Sequence, residues 1–155
     1  MITCIRSQTG CCWGCQAAEP QSGAIEGWKL SLFDLGNPAK LQEVARIHLG
    51  GWGSDSPANR HHHAFTSLAV NGNTLTKVAL PVMLNFPEGY PRTGLHQFEV
   101  DHRTRTLKHV GEFSPKPMTN NGWYWNETDR SILIDNKVYY YHAGNFYQGE
   151  WGKAH

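Results

Sequence analysis

The fold of this 155-residue chain is decided by Gly27-Trp-Lys-Leu-Ser-Leu-Phe33-Asp-Leu35 and by the segment after it, Leu41-Gln-Glu-Val44-Ala-Arg-Ile47. Both stretches recur further along the chain. The first matches Thr93-Gly-Leu-His-Gln-Phe98-Glu-Val100 at an offset of 65 residues, and the second matches Leu107-Lys-His-Val110-Gly-Glu-Phe113 at an offset of 66. An internal repeat of this kind predicts two copies of one structural unit.

The repeat also decides between helix and strand for residues 39–49. From Trp28 to Leu32 apolar and polar side chains alternate, and the period-2 stretch 28–34 is typical of a strand. Residues 39–49 have helix-like apolar spacing, with Pro38 before them and Gly50-Gly51 after them. The second copy contains Gly111 and is a poor helix. We therefore predict antiparallel hairpins at 28–49 and 93–113, with no helix across 39–49.

A second kind of hairpin alternates with the first. It is predicted at 63–82, around Asn71-Gly72-Asn73, and at 130–142, around Asp135-Asn136; Asn-Gly favours the positive φ angles of a tight turn. Two hairpins make one four-stranded unit, so residues 63–113 should form one sheet. Tandem four-stranded units are typical of a β-propeller. The predicted fold is all-β: about one complete antiparallel blade plus halves of the two neighbouring blades.

The predicted domain covers residues 25–155, because residues 1–24 show no alternation and are interpreted as irregular. All four cysteines, Cys4, Cys11, Cys12 and Cys15, lie in that segment, so they cannot form a framework of disulfides across the domain. The net charge of +1 argues against nucleic-acid binding. No apolar run is long enough to span a membrane, and no signal peptide is visible.

Several phrases resemble one known family: bacterial secreted proteins with a C-terminal β-propeller domain, distantly related to WD repeats. Gly27–Pro38 is similar to that family's "GLKLSLFDVSDP". The stretch from Gly50-Gly-Trp-Gly-Ser54 to His62-His63-Ala64-Phe65 is similar to its "GGRGS" and "DHHAF" phrases, although His61 stands where the family has Asp. The resemblance implies an exported or cell-envelope location. It implies no catalytic residue and no cofactor.

Arg60-His61-His62-His63 is the most conspicuous candidate site. The structural interpretation is a loop entering an inner strand, with His62 bonded to a turn of the next blade. The alternative is a metal-dependent hydrolase, in which His61 and His63 share one strand face and bind a metal with Asp55 and His96 as conceivable partners. The single C-x-x-C at Cys12–Cys15 is weak evidence for a further metal or redox site.

Aromatic side chains cluster at Trp123-Tyr124-Trp125, at Tyr139-Tyr140-Tyr141 and at Phe146-Tyr147 with Trp151. Such residues pack between blades, and they also stack on sugars or anchor protein partners. Trp123 and Trp125 lie in a turn-rich connection. We therefore predict His62, His63, Trp123 and Trp125 as the residues nearest a binding face for a protein or carbohydrate ligand, in a non-catalytic structural or binding-platform segment.

A partial propeller also predicts a property of the chain in solution. A blade buries both of its faces against its neighbours, so an open stack exposes an apolar face and unpaired strand edges. We expect the chain alone to be insoluble, oligomeric or only partly folded, and to self-associate through its unpaired blades.

Overall fold

The computed structural model describes residues 5–6, 11–15, 27–37, 39–114 and 127–153. These residues form three antiparallel sheets: the first sheet (β1–β4), the middle sheet (β5–β8) and the third sheet (β9–β11). Nothing in the described part is an α-helix, and no helix there could span a membrane. The strands are β1 Ile5–Arg6, β2 Cys11–Cys15, β3 Trp28–Asp34, β4 Gln42–Leu49, β5 Thr66–Val70, β6 Leu75–Leu84, β7 Arg92–Asp101, β8 Thr106–Phe113, β9 Arg130–Ile134, β10 Lys137–His142 and β11 Asn145–Glu150.

All four predicted hairpins are confirmed, and residues 66–113 form the predicted four-stranded sheet. The helical interpretation of 39–49 is excluded, since β4 pairs with β3 from Trp28 opposite Leu49 to Asp34 opposite Gln42. A bulge at Leu32/Phe33 interrupts this ladder, and one at Gln97/Phe98 interrupts its repeat in the middle sheet. The two copies of the internal repeat therefore have a β-bulge at the equivalent position.

The turn at Asn71-Gly72-Asn73 has the predicted positive φ angles of 51°, 63° and 67°. It is wider than a two-residue turn, because Val70 lies opposite Leu75 and four residues connect them. The hairpin at Asp135-Asn136 is the tighter one, with Ile134 opposite Lys137.

The middle sheet is buried on both faces, and this determines the arrangement of the other two. One face of β6 and β7 packs on the first sheet in a first core; its fully buried members on the strands are Trp28, Leu30, Leu32, Val78, Leu80, Val82, Phe98 and Val100. The opposite face packs on the third sheet in a second core; its members are Ala79, Leu95, Phe113, Leu133, Val138, Tyr140 and Trp151. The three sheets therefore stack in chain order.

The structure differs from the sequence-based prediction in its flanking sheets. The segment 1–24 was interpreted as irregular, yet it contains β1 and β2, and β2 pairs with β3 from Cys11 opposite Asp34 to Cys15 opposite Leu30. Backbone pairing with a neighbouring strand requires no alternation of side chains, so the sequence carried no signal for it. The third sheet likewise gains β11, and both neighbours hold more strands than half a blade.

Hydrogen bonds and a cation–π contact join the middle sheet to the third sheet. Trp151 donates its Nε1 hydrogen to Glu99 Oε1 at 2.8 Å. The Lys77 ammonium lies 5.2 Å from the Trp151 ring centroid and donates to the backbone oxygen of Asp135 at 2.8 Å. A buried ammonium is tolerated here because a carbonyl and an aromatic face replace its water.

We predict that Lys77→Met lowers the free energy of unfolding by about 1–3 kcal/mol, since the cation–π contact and the charge-assisted hydrogen bonds are lost while the apolar stem is kept. Urea denaturation of both proteins measures the difference. Lys108→Met is the matched control, because Lys108 is exposed on β8 and should change stability by less than about 0.5 kcal/mol. Equal effects of the two substitutions would show that the contacts of Lys77 do not stabilise the packing of the middle sheet on the third sheet.

Candidate binding surface at the start of the inner strands

The segment Ser54–Ser56 completes the edge of β6 where β5 no longer covers it. β5 pairs with β6 only as far as Ala79. Beyond that point Asp55 and Met83 exchange backbone hydrogen bonds of 2.9 and 2.8 Å, and Ser56 Oγ donates to the Pro81 backbone oxygen at 2.5 Å. Pro81 has no N–H to donate, and this uncovered edge is a position where a strand tolerates proline. The loop before β5 is thereby attached to the sheet.

Asp55 holds the next residues of this loop in place. Its Oδ1 accepts hydrogen bonds from Ser56 N at 2.6 Å and from Asn59 Nδ2 at 2.5 Å, and its Oδ2 accepts one from Arg60 at 3.0 Å. These bonds stabilise a 3₁₀ turn at Pro57–Asn59. Asp55 is thus occupied in shaping the loop.

The loop before β5 also contacts the residues before β9 in the third sheet. His61 Nε2 lies 3.4 Å from Glu127 Oε2, and Arg60 Nε lies 3.9 Å from Glu127 Oε1. All three side chains lie at the surface, where contacts of this kind contribute little to stability. Their consequence is geometric: they place the loop before β5 beside the residues before β9, so the first strands of the middle and third sheets begin close together.

His62 and His63 are exposed, and their rings are in contact, with centroids 3.9 Å apart and planes tilted by 42°. They belong to a second 3₁₀ turn, His62–Ala64, whereas His61 before it is extended. The prediction that His61 and His63 share a strand face is therefore wrong, since the segment is not a strand. The interpretation that His62 bonds a turn of the next blade stays a prediction; among the described residues, it is His61 that contacts Glu127 before β9.

The metal-dependent alternative gains no support from the described residues. Within them, no three His, Cys, Asp or Glu side chains converge as metal ligands. Of the two conceivable partners, Asp55 is engaged by Asn59 and Arg60, and His96 lies within β7. Trp123 and Trp125, the other predicted binding residues, lie outside the described residues, as does Cys4.

Sequence reasoning missed a buried network at the start of β9. Asp129 is only 1% exposed, and its Oδ2 accepts the Tyr140 hydroxyl at 2.6 Å and contacts His142 Nδ1 at 2.8 Å. Burial, with the neighbouring Asp129 carboxylate, raises the pKa of Tyr140 far above its ordinary value. The phenol is thus a fixed donor that ties the entrance of β9 to β10. The sequence signal that could have found this network is the alternation of side chains in β10, which places Tyr140 on the opposite face of the sheet from Tyr139 and Tyr141.

We predict that Tyr140→Phe lowers the free energy of unfolding by about 1–3 kcal/mol, since it leaves the buried Asp129 carboxylate short of a donor. The control is Tyr139→Phe, which removes a hydroxyl from the opposite face of the same strand and should cost less than about 0.5 kcal/mol. Chemical denaturation followed by Trp fluorescence measures both. If the two variants lose equal stability, the network does not hold β9 in place.

A second buried group lies in β7. His96 is 1% exposed, its Nδ1 is 3.1 Å from His109 Nε2, and its Nε2 has no hydrogen-bond partner within the described part of the chain. Burial lowers the pKa of His96 from 6.5 to about 4, against the opposing attraction of Glu112. Burial also lowers the pKa of His109. The pair is therefore neutral at pH 7.

This pKa predicts a loss of stability in mild acid. The unfolded chain takes up a proton at His96 near pH 6.5, whereas the folded chain resists protonation until about pH 4. Stability is therefore complete above pH 6.5 and declines as the pH falls towards 4, by on the order of 3 kcal/mol in total. Thermal melts across this range should show a shallower pH dependence for His96→Leu and an unchanged one for His48→Leu, whose imidazole is exposed. An unchanged slope in His96→Leu would contradict the assignment.

Comparison with known families gives one match: a family model described as a β-propeller domain covers residues 12–150. The match begins within β2, before the domain boundary predicted at residue 25. Comparisons with curated proteins and with solved structures found no match.

Proposed function

The chain belongs to the family of β-propeller domains, and from this premise we propose that it is a non-catalytic propeller segment that presents a binding platform for a protein or a carbohydrate. The partial propeller is the scaffold: three stacked sheets, with the middle one buried on both faces. The resemblance to secreted bacterial propeller proteins supports an exported or cell-envelope location.

One observation carries the binding role. His62 and His63 are two exposed imidazoles in contact with each other, on a loop that is bonded to the sheet on one side by Asp55 and Ser56. On the other side, Arg60 and His61 contact Glu127. Binding residues lie disproportionately on loops that a rigid scaffold positions. An exposed pair held in this way needs little further ordering when a ligand binds.

The chemistry of this surface suits a polar ligand. Imidazoles both donate and accept hydrogen bonds, and their faces stack on the apolar side of a sugar ring or on an aromatic side chain. The Glu127 carboxylate accepts hydrogen bonds from hydroxyl or amide groups. The balanced charge of the chain gives no reason to expect nucleic acid.

The proposal is tested with a glycan array and with cross-linking to cell-envelope proteins, using the full 155-residue chain. We expect at least one ligand whose affinity falls about tenfold or more in the double variant His62→Ala/His63→Ala. His48→Ala is the matched control, because His48 is exposed on β4 away from this loop, and it should bind normally. Ligands that bind the double variant unchanged would disprove the role of this surface, and turnover of a bound glycan would disprove the non-catalytic assignment.

A further inference from the structure

The outer face of the third sheet is apolar and open. Here we call it the open face: Arg130, Ile132 and Ile134 of β9, Tyr139 and Tyr141 of β10, and Phe146 of β11. Phe146 is 77% exposed, Ile132 54% and Ile134 53%. Five of these residues, all except Ile134, line a groove of about 260 Å³. Contiguous apolar surface of this kind marks an interaction site.

Apolar side chains of the open face lie opposite one another on neighbouring strands, as they do on the buried faces of the other sheets. Ile132 lies opposite Tyr139, and Tyr141 lies opposite Phe146, with the last two rings 4.9 Å apart. The reverse side of the same strands carries Leu133, Val138 and Tyr140 in the second core. The third sheet therefore has the pattern of a sheet covered on both faces, like the middle sheet.

The other end of the stack has a complementary surface. Trp28, Leu30 and Leu32 point from β3 into the first core, so Lys29 and Phe33 lie on the outer face of the first sheet. Across the ladder, His48 lies opposite Lys29, and Glu43 lies opposite Phe33 and bonds to Lys29. Arg46, opposite Ser31, joins them with 65% of its side chain exposed. On these two strands the outer face presents the exposed side chains of Arg46 and His48, whereas Lys29 and Glu43 are paired with each other and only 19% and 25% exposed.

We propose that the open face binds the outer face of the first sheet in a second copy of this chain. The exposed guanidinium of Arg46 then lies over the aromatic rings of the open face. A cation–π contact of this kind already joins the middle and third sheets, where the Lys77 ammonium lies over the Trp151 ring. The contact thus continues an interface that the chain makes within itself.

The number of sheets makes such a dimer a closed assembly. The described residues supply three stacked sheets, and a propeller closes with roughly four to eight. Two copies related by a twofold axis place six sheets in one ring and form the same head-to-tail contact twice. No open face is then left for a third copy.

Light scattering of the purified 155-residue chain across a wide concentration range tests the proposal. We expect twice the 17.5 kDa mass of one chain. Phe146→Ser and Arg46→Glu, one on each surface, should each weaken dimerisation about tenfold or more. Tyr90→Ser is the matched control, because Tyr90 is exposed but lies between β6 and β7, away from both surfaces, and its dimer should be unchanged. Circular dichroism melts confirm that each variant folds.

Each other outcome overturns the proposal. A stable monomer means that the open face has a different partner, and open-ended polymers or precipitate mean that the contact does not close. A dimer weakened by Phe146→Ser but not by Arg46→Glu means that two third sheets pair face to face. A dimer that neither variant weakens uses a different surface.

Discussion

Burial of the middle sheet on both faces is the constraint on which the rest of the structure depends. β6 and β7 send alternate side chains into two separate cores, so neither face is left for solvent. A sheet of this kind is stable only between two others, and the first and third sheets meet that requirement. Their own outer faces then become the surfaces that decide how the chain behaves in solution.

Two of the polar groups buried in this stack have a partner supplied by the neighbouring elements. Lys77 lies between a carbonyl oxygen and the Trp151 ring, and Asp129 receives the Tyr140 hydroxyl. His96 is kept neutral because burial opposes its charge. The contacts of Lys77 join two sheets, the network at Asp129 holds the start of β9 against β10, and the buried His96 is a group whose charging would oppose folding.

The candidate site depends on how one strand edge is completed. Pro81 has no N–H on the edge of β6 beyond the end of β5, and Ser54–Ser56 cover that edge. The attached loop then places His61 beside Glu127 and leaves His62 and His63 exposed as a pair of rings in contact. The stretch Gly50–Phe65, which resembles a phrase of the secreted propeller proteins, thus attaches the loop to the sheet through its first half. Its second half presents the candidate binding surface.

The sequence by itself determined the all-β class, the four hairpins and the middle sheet, because alternation, turn residues and an internal repeat are local signals. It also identified the histidines as the candidate site. Only the tertiary structure decided that β2 and β11 are strands, because pairing is made by backbone atoms whatever the side chains are. The separate placement of His61 and His63 and the Asp129–Tyr140 bond were likewise decided there, since each depends on groups that come together only when strands distant in sequence are packed side by side.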